Sequence, residues 1–306
     1  MHAHLLHVVT AIANPLRWAS RTRLYRDFER HMLDSGVQLT VVECAYGDRP
    51  YELDGTEGVQ HVPVRARSMM WAKENLLNIG IAHLPADWKY VAWIDADILF
   101  RRPDWAVETV HALQLYDVVQ PWTDCYDLGP NGEHIAVHRG FCRVWRDGGA
   151  IGTGYGPFAH PGYAWAATRQ ALQYLGGLID TAALGAADHH MALALAGKVH
   201  LSLPGGLTDA YRRPLLRWQD RAARHIAGNI GCIAGTIEHA WHGAKRRRRY
   251  IERWDVLTRH GFDPDEDLKR NVWGVLELAG NKPALARDID AYFRARCEDA
   301  NTMEDA

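Results

Sequence analysis

Two aspartates, Asp95 and Asp97, stand one residue apart in KYVAWIDADILF, residues 89–100, at the end of a run that otherwise suits a protein interior. Burying one carboxylate without a partner is costly, and two that repel cost more. The pair therefore calls for positive charge nearby. At the end of a buried strand, paired carboxylates offer hard oxygen ligands to Mg²⁺ or Mn²⁺, ions that keep positions open for phosphates. Such an ion would neutralise charge developing on a leaving diphosphate. The alternative is that the aspartates cap the next helix.

A further carboxylate, Asp188, lies in GGLIDTAALGAADHHMALAL, residues 176–195, after a Gly-Gly turn and at the start of a helical pattern. It could take a proton from a hydroxyl as a general base, or simply cap the helix. His189 and His190 adjoin it and could meet an acceptor phosphate or nothing. A third group is HAWHGAKRRRRY, residues 239–250. Either His239 or His242 could complete a metal shell with the aspartates; His242, before Gly243 in a turn, is the expected ligand. The segment is not H-E-x-x-H and its flank looks extended, which argues against a zinc protease. The basic run at residues 245–249 either steers an anion or forms a solvated helix face.

The glycines at 152, 154 and 156 precede a strand instead of opening a helix, and they lack G-x-G-x-x-G spacing. They read as a loop near the cleft, not as a dinucleotide fingerprint. Neither G-x-x-x-x-G-K-[ST] nor G-x-S-x-G occurs, which argues against a P-loop enzyme and against a hydrolase elbow.

The elements that must position these residues alternate. Residues 5–13, 37–44, 89–94 and 117–122 read as strands apolar on both faces. Residues 20–36, 72–84 and 104–116 read as helices, the first with Ser20 as its expected cap and Gly36 at its end. Alternation of this kind implies a mainly parallel sheet covered by helices, with ligands beyond the carboxyl ends of the strands. Asp95 and Asp97 stand at such an end. The second half is less regular: a strand at 163–169, a helix at 170–179, a polar loop edge running into a helix over 186–197, a mostly helical stretch at 209–228, a strand, a histidine-containing turn and a basic helix after 235, and a terminal helix with a loose tail.

Bulk properties fit a globular chain. It has 306 residues, 47% hydrophobic and 24% charged, and a formal net charge of −2, so it is no polyelectrolyte binder as a whole. Five scattered cysteines without CxxC pairing argue against a disulfide framework and a zinc ribbon, and for a reducing compartment. No signal-peptide pattern opens the chain and no apolar run approaches a membrane span, so a cytoplasmic location is expected. Twelve tryptophans are expected mainly in packing.

Taken in order, these segments resemble the GT-A glycosyltransferases, close to the family-2-like group, over roughly residues 5–245. VVTAIANP is similar to the first nucleotide-binding strand and loop, Glu43 to the acidic residue that contacts base or ribose, and Asn78 and Gly80 to an N-x-G before the D-x-D. The region ending at Asp188 is similar to the E-D motif, with Ala187 where the motif has glutamate. The segment at 239–254 departs from the general pattern and has the look of a phage or bacterial subgroup, which implies the cytoplasm of a bacterial or phage-infected host cell.

The resemblance implies a Rossmann-like GT-A fold with a catalytic domain over 1–245 (a nucleotide-sugar-binding half at 1–120, an acceptor-binding half at 121–245) and a helical extension over 246–306. It implies transfer from a nucleotide-diphosphate sugar, UDP-linked, to an acceptor hydroxyl with inversion, the acceptor being a glycan or a hydroxylated DNA base. It implies Asp188 as base, Mn²⁺ or Mg²⁺ held by Asp95, Asp97 and His242, donor contacts from Asn14, Glu43, Arg67, Lys73 and Asp95, and acceptor contacts from Trp165, His189 and Lys245. Two rival readings remain. A nucleotidyltransferase would need a glycine-rich loop that AIANPLRWASRTR lacks. A nucleic-acid-binding module would rest on residues 245–249, against a near-neutral chain.

Overall fold

The computed structural model describes residues 2–152 and 159–300; Gly154, Gly156 and the last six residues lie outside them. The first half runs β1 (Leu6–Ala13), α1 (Ala19–Asp34), β2 (Gln38–Tyr46), β3 (Val59–Ala66), α2 (Lys73–Ala82), β4 (Tyr90–Ile94), β5 (Ile98–Phe100), α3 (Trp105–Ala112) and β6 (Val118–Gln120). A hairpin of β7 (Asp124–Leu128) and β8 (His134–Arg139) follows, then α4 (Phe141–Arg146), β9 (Ala164–Thr168), α5 (Arg169–Leu175), α6 (Ala187–Leu195) and α7 (Asp209–His225). The chain ends with β10 (Ile230–Cys232), β11 (Thr236–His239), α8 (Arg253–Arg259), α9 (Pro264–Asp267), β12 (Leu268–Arg270), β13 (Leu276–Leu278) and α10 (Pro283–Ala295).

Seven strands form the central sheet in the order β10-β6-β9-β4-β1-β2-β3. Every pairing is parallel except those of β9, which runs against β4 and β6. Successive side chains of a strand point to opposite faces. Accordingly Val8 belongs to the buried core with Tyr25, Phe28 and Trp105, while Val9 belongs to a second buried core with Leu76, Leu193 and Tyr211. This is the mainly parallel, helix-flanked α/β core that the resemblance implies. The reversed β9 was not foreseeable, because an apolar run encodes burial and not direction. Among the described residues no helix is long and apolar enough to cross a membrane.

The N-x-G element has a packing cause. Asn78 bridges α2 to the Gly-Gly turn, donating to the Leu178 carbonyl and accepting from its N–H, both at 2.9 Å. A Cβ on Gly80 would lie 2.5 Å from Val9 Cγ1 and 2.8 Å from Val42 Cγ2, so only glycine lets α2 approach β1 and β2 this closely.

A second sheet, β5-β11-β7-β8, stands beyond the end of β4. It was only partly anticipated: β11 was expected, the β7–β8 hairpin was not. Three expectations need correction. Ser20 does not cap α1; the Asp299 carboxylate does, accepting from Ala19 N at 2.9 Å and Ser20 N at 2.8 Å. Residues 245–248 form a short 3-10 turn with Arg248 buried, not a solvated helix face. The described part of the C-terminal tail is docked, with Glu298 only 1% exposed.

Candidate active site and metal centre

β4 delivers both aspartates to one place, and they then face different partners. Asp95 is fixed through its backbone N–H, which donates to the Tyr163 carbonyl at 2.8 Å. Its Oδ1 accepts from Lys73 Nζ, at the start of α2, at 2.9 Å. Asp97 turns to the small sheet. There β5 pairs with β11 so that Ile98 lies opposite His239, and β11 pairs with β7 so that His239 lies opposite Asp127.

This register brings Asp97, His239 and His242 together. Asp97 Oδ2 is 3.0 Å from His242 Nε2 and 3.7 Å from His239 Nε2, and the two ring nitrogens are 3.3 Å apart. One ligand atom from each residue lies within 4.8 Å of the others. The other carboxylate oxygen of Asp97, Oδ1, is buried and has no hydrogen-bond partner among the described residues. Two imidazoles converging on a carboxylate with an unsatisfied oxygen fit a divalent ion. Burial alone would raise the Asp97 carboxyl, but His239 and His242 outweigh it and hold it well below the usual range. Burial likewise opposes charge on His239; Asp97 and Asp127 prevail and raise its pKa.

Behind His239 sits Asp127, 2% exposed. It accepts from His239 Nδ1 at 2.8 Å, from Tyr163 Oη at 3.2 Å, from His138 Nε2 at 2.5 Å and from Lys245 Nζ. A carboxylate on Nδ1 orients the ring so that Nε2 faces Asp97 and would be the atom offered to a metal.

Asp188 arrives from another direction. Gly185 and Ala186 take consecutive left-handed conformations, φ +89° and +82°, and the chain then enters α6. Such a φ is strained for alanine and marks a position held by its surroundings. The Asp188 carboxylate accepts its neighbour's N–H, from His189, at 2.8 Å. Opposite it, a Cβ on Gly162 would come within 2.9 Å of Asp188 Oδ2, so glycine keeps that oxygen accessible.

These groups share one cavity of about 460 Å³, lined by Lys73, Glu74, Asp95, Asp97, Asp188, His239, His242, Lys245, Arg248 and Glu298, with Tyr46, Trp71 and Phe293 among its aromatic walls. The size suits a small-molecule site. Burial opposes the Lys73 ammonium, yet Asp95, Glu74 and Asp188 outweigh it and raise its pKa. Glu74, burial being the leading cause, is pushed up to about 7.

Of the residues singled out in the sequence, Lys73, Asp95, Asp97, Asp188, His242 and Lys245 line the cavity. Asn14, Glu43, Arg67, Trp165 and His189 are not on its wall. Asn14 closes the turn after β1, bonding the Trp18 carbonyl and N–H, both at 2.9 Å. Glu43 holds the loop after β2, accepting from Glu52 N at 2.5 Å and contacting His61 Nε2 at 2.8 Å. Arg67 is exposed, and its backbone N–H donates to Glu277 Oε1 at 2.6 Å. Trp165 is buried in β9, with its indole donating to the Pro161 carbonyl at 2.7 Å. His189 lies partly buried on α6, with burial lowering its pKa.

Sequence reasoning did not find Asp127 or Glu298, took Arg248 only as one member of the basic run 245–249, and placed His239 second to His242. His239 had a local signal in its H-x-x-H spacing at the end of a strand and Arg248 in its charge run; Asp127 and Glu298 had none. Residues 246–300 contribute to the cavity wall: Glu298 bonds Arg21 Nε and Arg296 Nε, each at 2.6 Å, and lies 3.7 Å from His242 Nδ1.

No family model and no curated sequence matches the chain. Among solved structures it aligns with a mutant of Drosophila β1,4-galactosyltransferase 7 in complex with manganese, UDP-Gal and xylobiose, at 12% identity over 92% of this chain and 98% of that one, TM-score 0.42. It aligns with S. aureus TarS 1-349 in complex with UDP-GlcNAc at 8% identity over 78% of this chain and 59% of that one, TM-score 0.41. It aligns with 4-diphosphocytidyl-2C-methyl-D-erythritol synthase from Anaerococcus prevotii at 13% identity over 75% and 86%, TM-score 0.34. Likenesses this distant carry no functional argument, and the geometry of the cavity has to stand by itself.

Proposed function

We propose that the chain is a metal-dependent glycosyltransferase that moves a sugar from a nucleotide-diphosphate sugar, UDP-linked, to an acceptor hydroxyl with inversion. The observation that carries this reading is one cavity beyond the end of β4 that holds both the Asp97, His239 and His242 cluster and the separate carboxylate Asp188. Asp97, His239 and His242 would hold the ion. One oxygen and two nitrogen donors favour Mn²⁺ over Mg²⁺, which prefers oxygen. The bound ion would neutralise charge on the leaving diphosphate. Lys73, fixed against Asp95, adds a positive charge that needs no reorganisation at the moment of reaction. Asp188 takes the acceptor proton as the oxygen attacks the anomeric carbon, and displacement from that side inverts the configuration. A glycan and a hydroxylated DNA base each present such a hydroxyl, and Lys245 stands at the cavity for an acceptor phosphate.

The test is turnover of UDP-sugars with Mn²⁺, scored by UDP release and by mass of the product. Release is expected to need Mn²⁺ and to vanish in Asp188→Asn while UDP still binds. Undiminished transfer by that variant removes the base role, and failure to bind UDP under any metal condition sinks the reading.

A further inference from the structure

Arg248 lies against the nitrogen that a metal would use. It is 7% exposed and lines the cavity, and no carboxylate is within ion-pair distance of it among the described residues. Its Nη1 donates to Tyr250 Oη at 3.2 Å. Its Nη2 lies 2.9 Å from His242 Nε2. Its Nε is buried with no hydrogen-bond partner among the described residues. A buried guanidinium with an idle donor and no carboxylate partner is costly unless an anion completes it.

His242 Nε2 is also the atom 3.0 Å from Asp97 Oδ2. An imidazole nitrogen makes one such bond: it accepts from Arg248, or it is protonated and donates to Asp97. A metal on Nε2 would satisfy His242 and Asp97 together and leave Arg248 without that contact. We infer that Arg248 and a divalent metal exchange on His242 Nε2, and that the released guanidinium donates through Nη2 and Nε to the diphosphate carried by the same metal. The planar fork of arginine matches two phosphate oxygens. Metal and diphosphate then favour each other's binding by the same factor. The second half of this inference rests on the nucleotide-sugar reading; the first half does not.

The experiment titrates Mn²⁺ and UDP, singly and together, into the full chain and into Arg248→Met and Arg248→Gln, with melting curves to establish folding. Both variants are expected to bind Mn²⁺ alone about threefold or more tightly, because a competitor for Nε2 is gone, and to bind UDP in saturating Mn²⁺ about tenfold more weakly. A purely structural arginine would not move the two affinities in opposite directions. Unchanged or weaker Mn²⁺ binding in a folded variant overturns the exchange, and unchanged UDP binding overturns the diphosphate contact. Should neither variant fold, equal Mn²⁺ affinity of the wild-type chain with and without UDP overturns the coupling, and mutual strengthening supports it. If the wild-type chain binds Mn²⁺ but not UDP, the nucleotide-sugar reading fails, while the Mn²⁺ affinities of the variants still decide the exchange.

Discussion

Asp127 and His239 lie directly opposite each other in the β7–β11 pair, and Asp127 Oδ1 accepts the Nδ1 proton of His239 at 2.8 Å. Strand register, not chance rotamer choice, therefore orients one of the three groups of the candidate metal site. Burial would raise the Asp127 carboxyl, but His138, His239 and Lys245 outweigh it and hold it well below the usual carboxylate range. Asp127→Asn is expected to lower Mn²⁺ affinity about 10- to 100-fold, read by calorimetry. Affinity equal to wild type would mean that His239 is oriented by something else.

Lys73 and Asp95 form a partly buried pair, 21% and 30% exposed at their side chains. Lys73→Met leaves Asp95 beside Asp97 without its cation, and is expected to destabilise the fold by about 2–3 kcal/mol in denaturant unfolding. Adding Asp95→Asn should recover a large part of that loss, since the stranded charge is what costs. Losses that simply add would show the two groups to be independent.

Gly80→Ala gains helix propensity but pushes a methyl into Val9 and Val42. Overpacking outweighs propensity, and a net loss of about 1–2 kcal/mol is expected. A variant that melts at or above the wild-type temperature would show that α2 can shift outward freely.

His190 is fully buried between Ser202 Oγ at 2.7 Å and Tyr211 Oη at 3.0 Å, and burial, the leading cause, lowers its pKa to about 3. The unfolded chain, with a histidine near its usual 6.5, binds more protons between those values. Stability contributed by neutral His190 is thus complete above about pH 6.5 and falls with acidification, by at most about 1.4 kcal/mol per pH unit from this group. Melting wild type and His190→Gln at pH 7.5 and pH 5 checks it: the stability gap should narrow at the lower pH. A gap that does not change with pH contradicts a neutral, buried His190.

The core and the D-x-D were legible because apolar runs, their spacing and their abrupt end in Asp95 and Asp97 are local facts. Asp188 was legible as a carboxylate at a helix start for the same reason. Asp127 was not, since its meaning comes from pairing with a strand more than a hundred residues away. Glu43 matched a family position, yet its neighbours at Glu52, Leu53 and His61 occupy its oxygens, which only the folded loop reveals. Glu298 and Asp299 lie in what reads as a loose tail, and their roles arise from Arg21 and the α1 N-terminus, elements at the other end of the chain.

Asp97, His239 and His242 are proposed to form a metal site that binds the diphosphate of a nucleotide sugar. The direct measurement is calorimetric titration of UDP into the wild-type chain and into His239→Ala, each with Mn²⁺ and with the metal removed by chelation. UDP is expected to bind the wild-type chain with Mn²⁺, and to bind about tenfold or more weakly on chelation or in the variant. UDP binding that is indifferent to both the metal and His239 would contradict it.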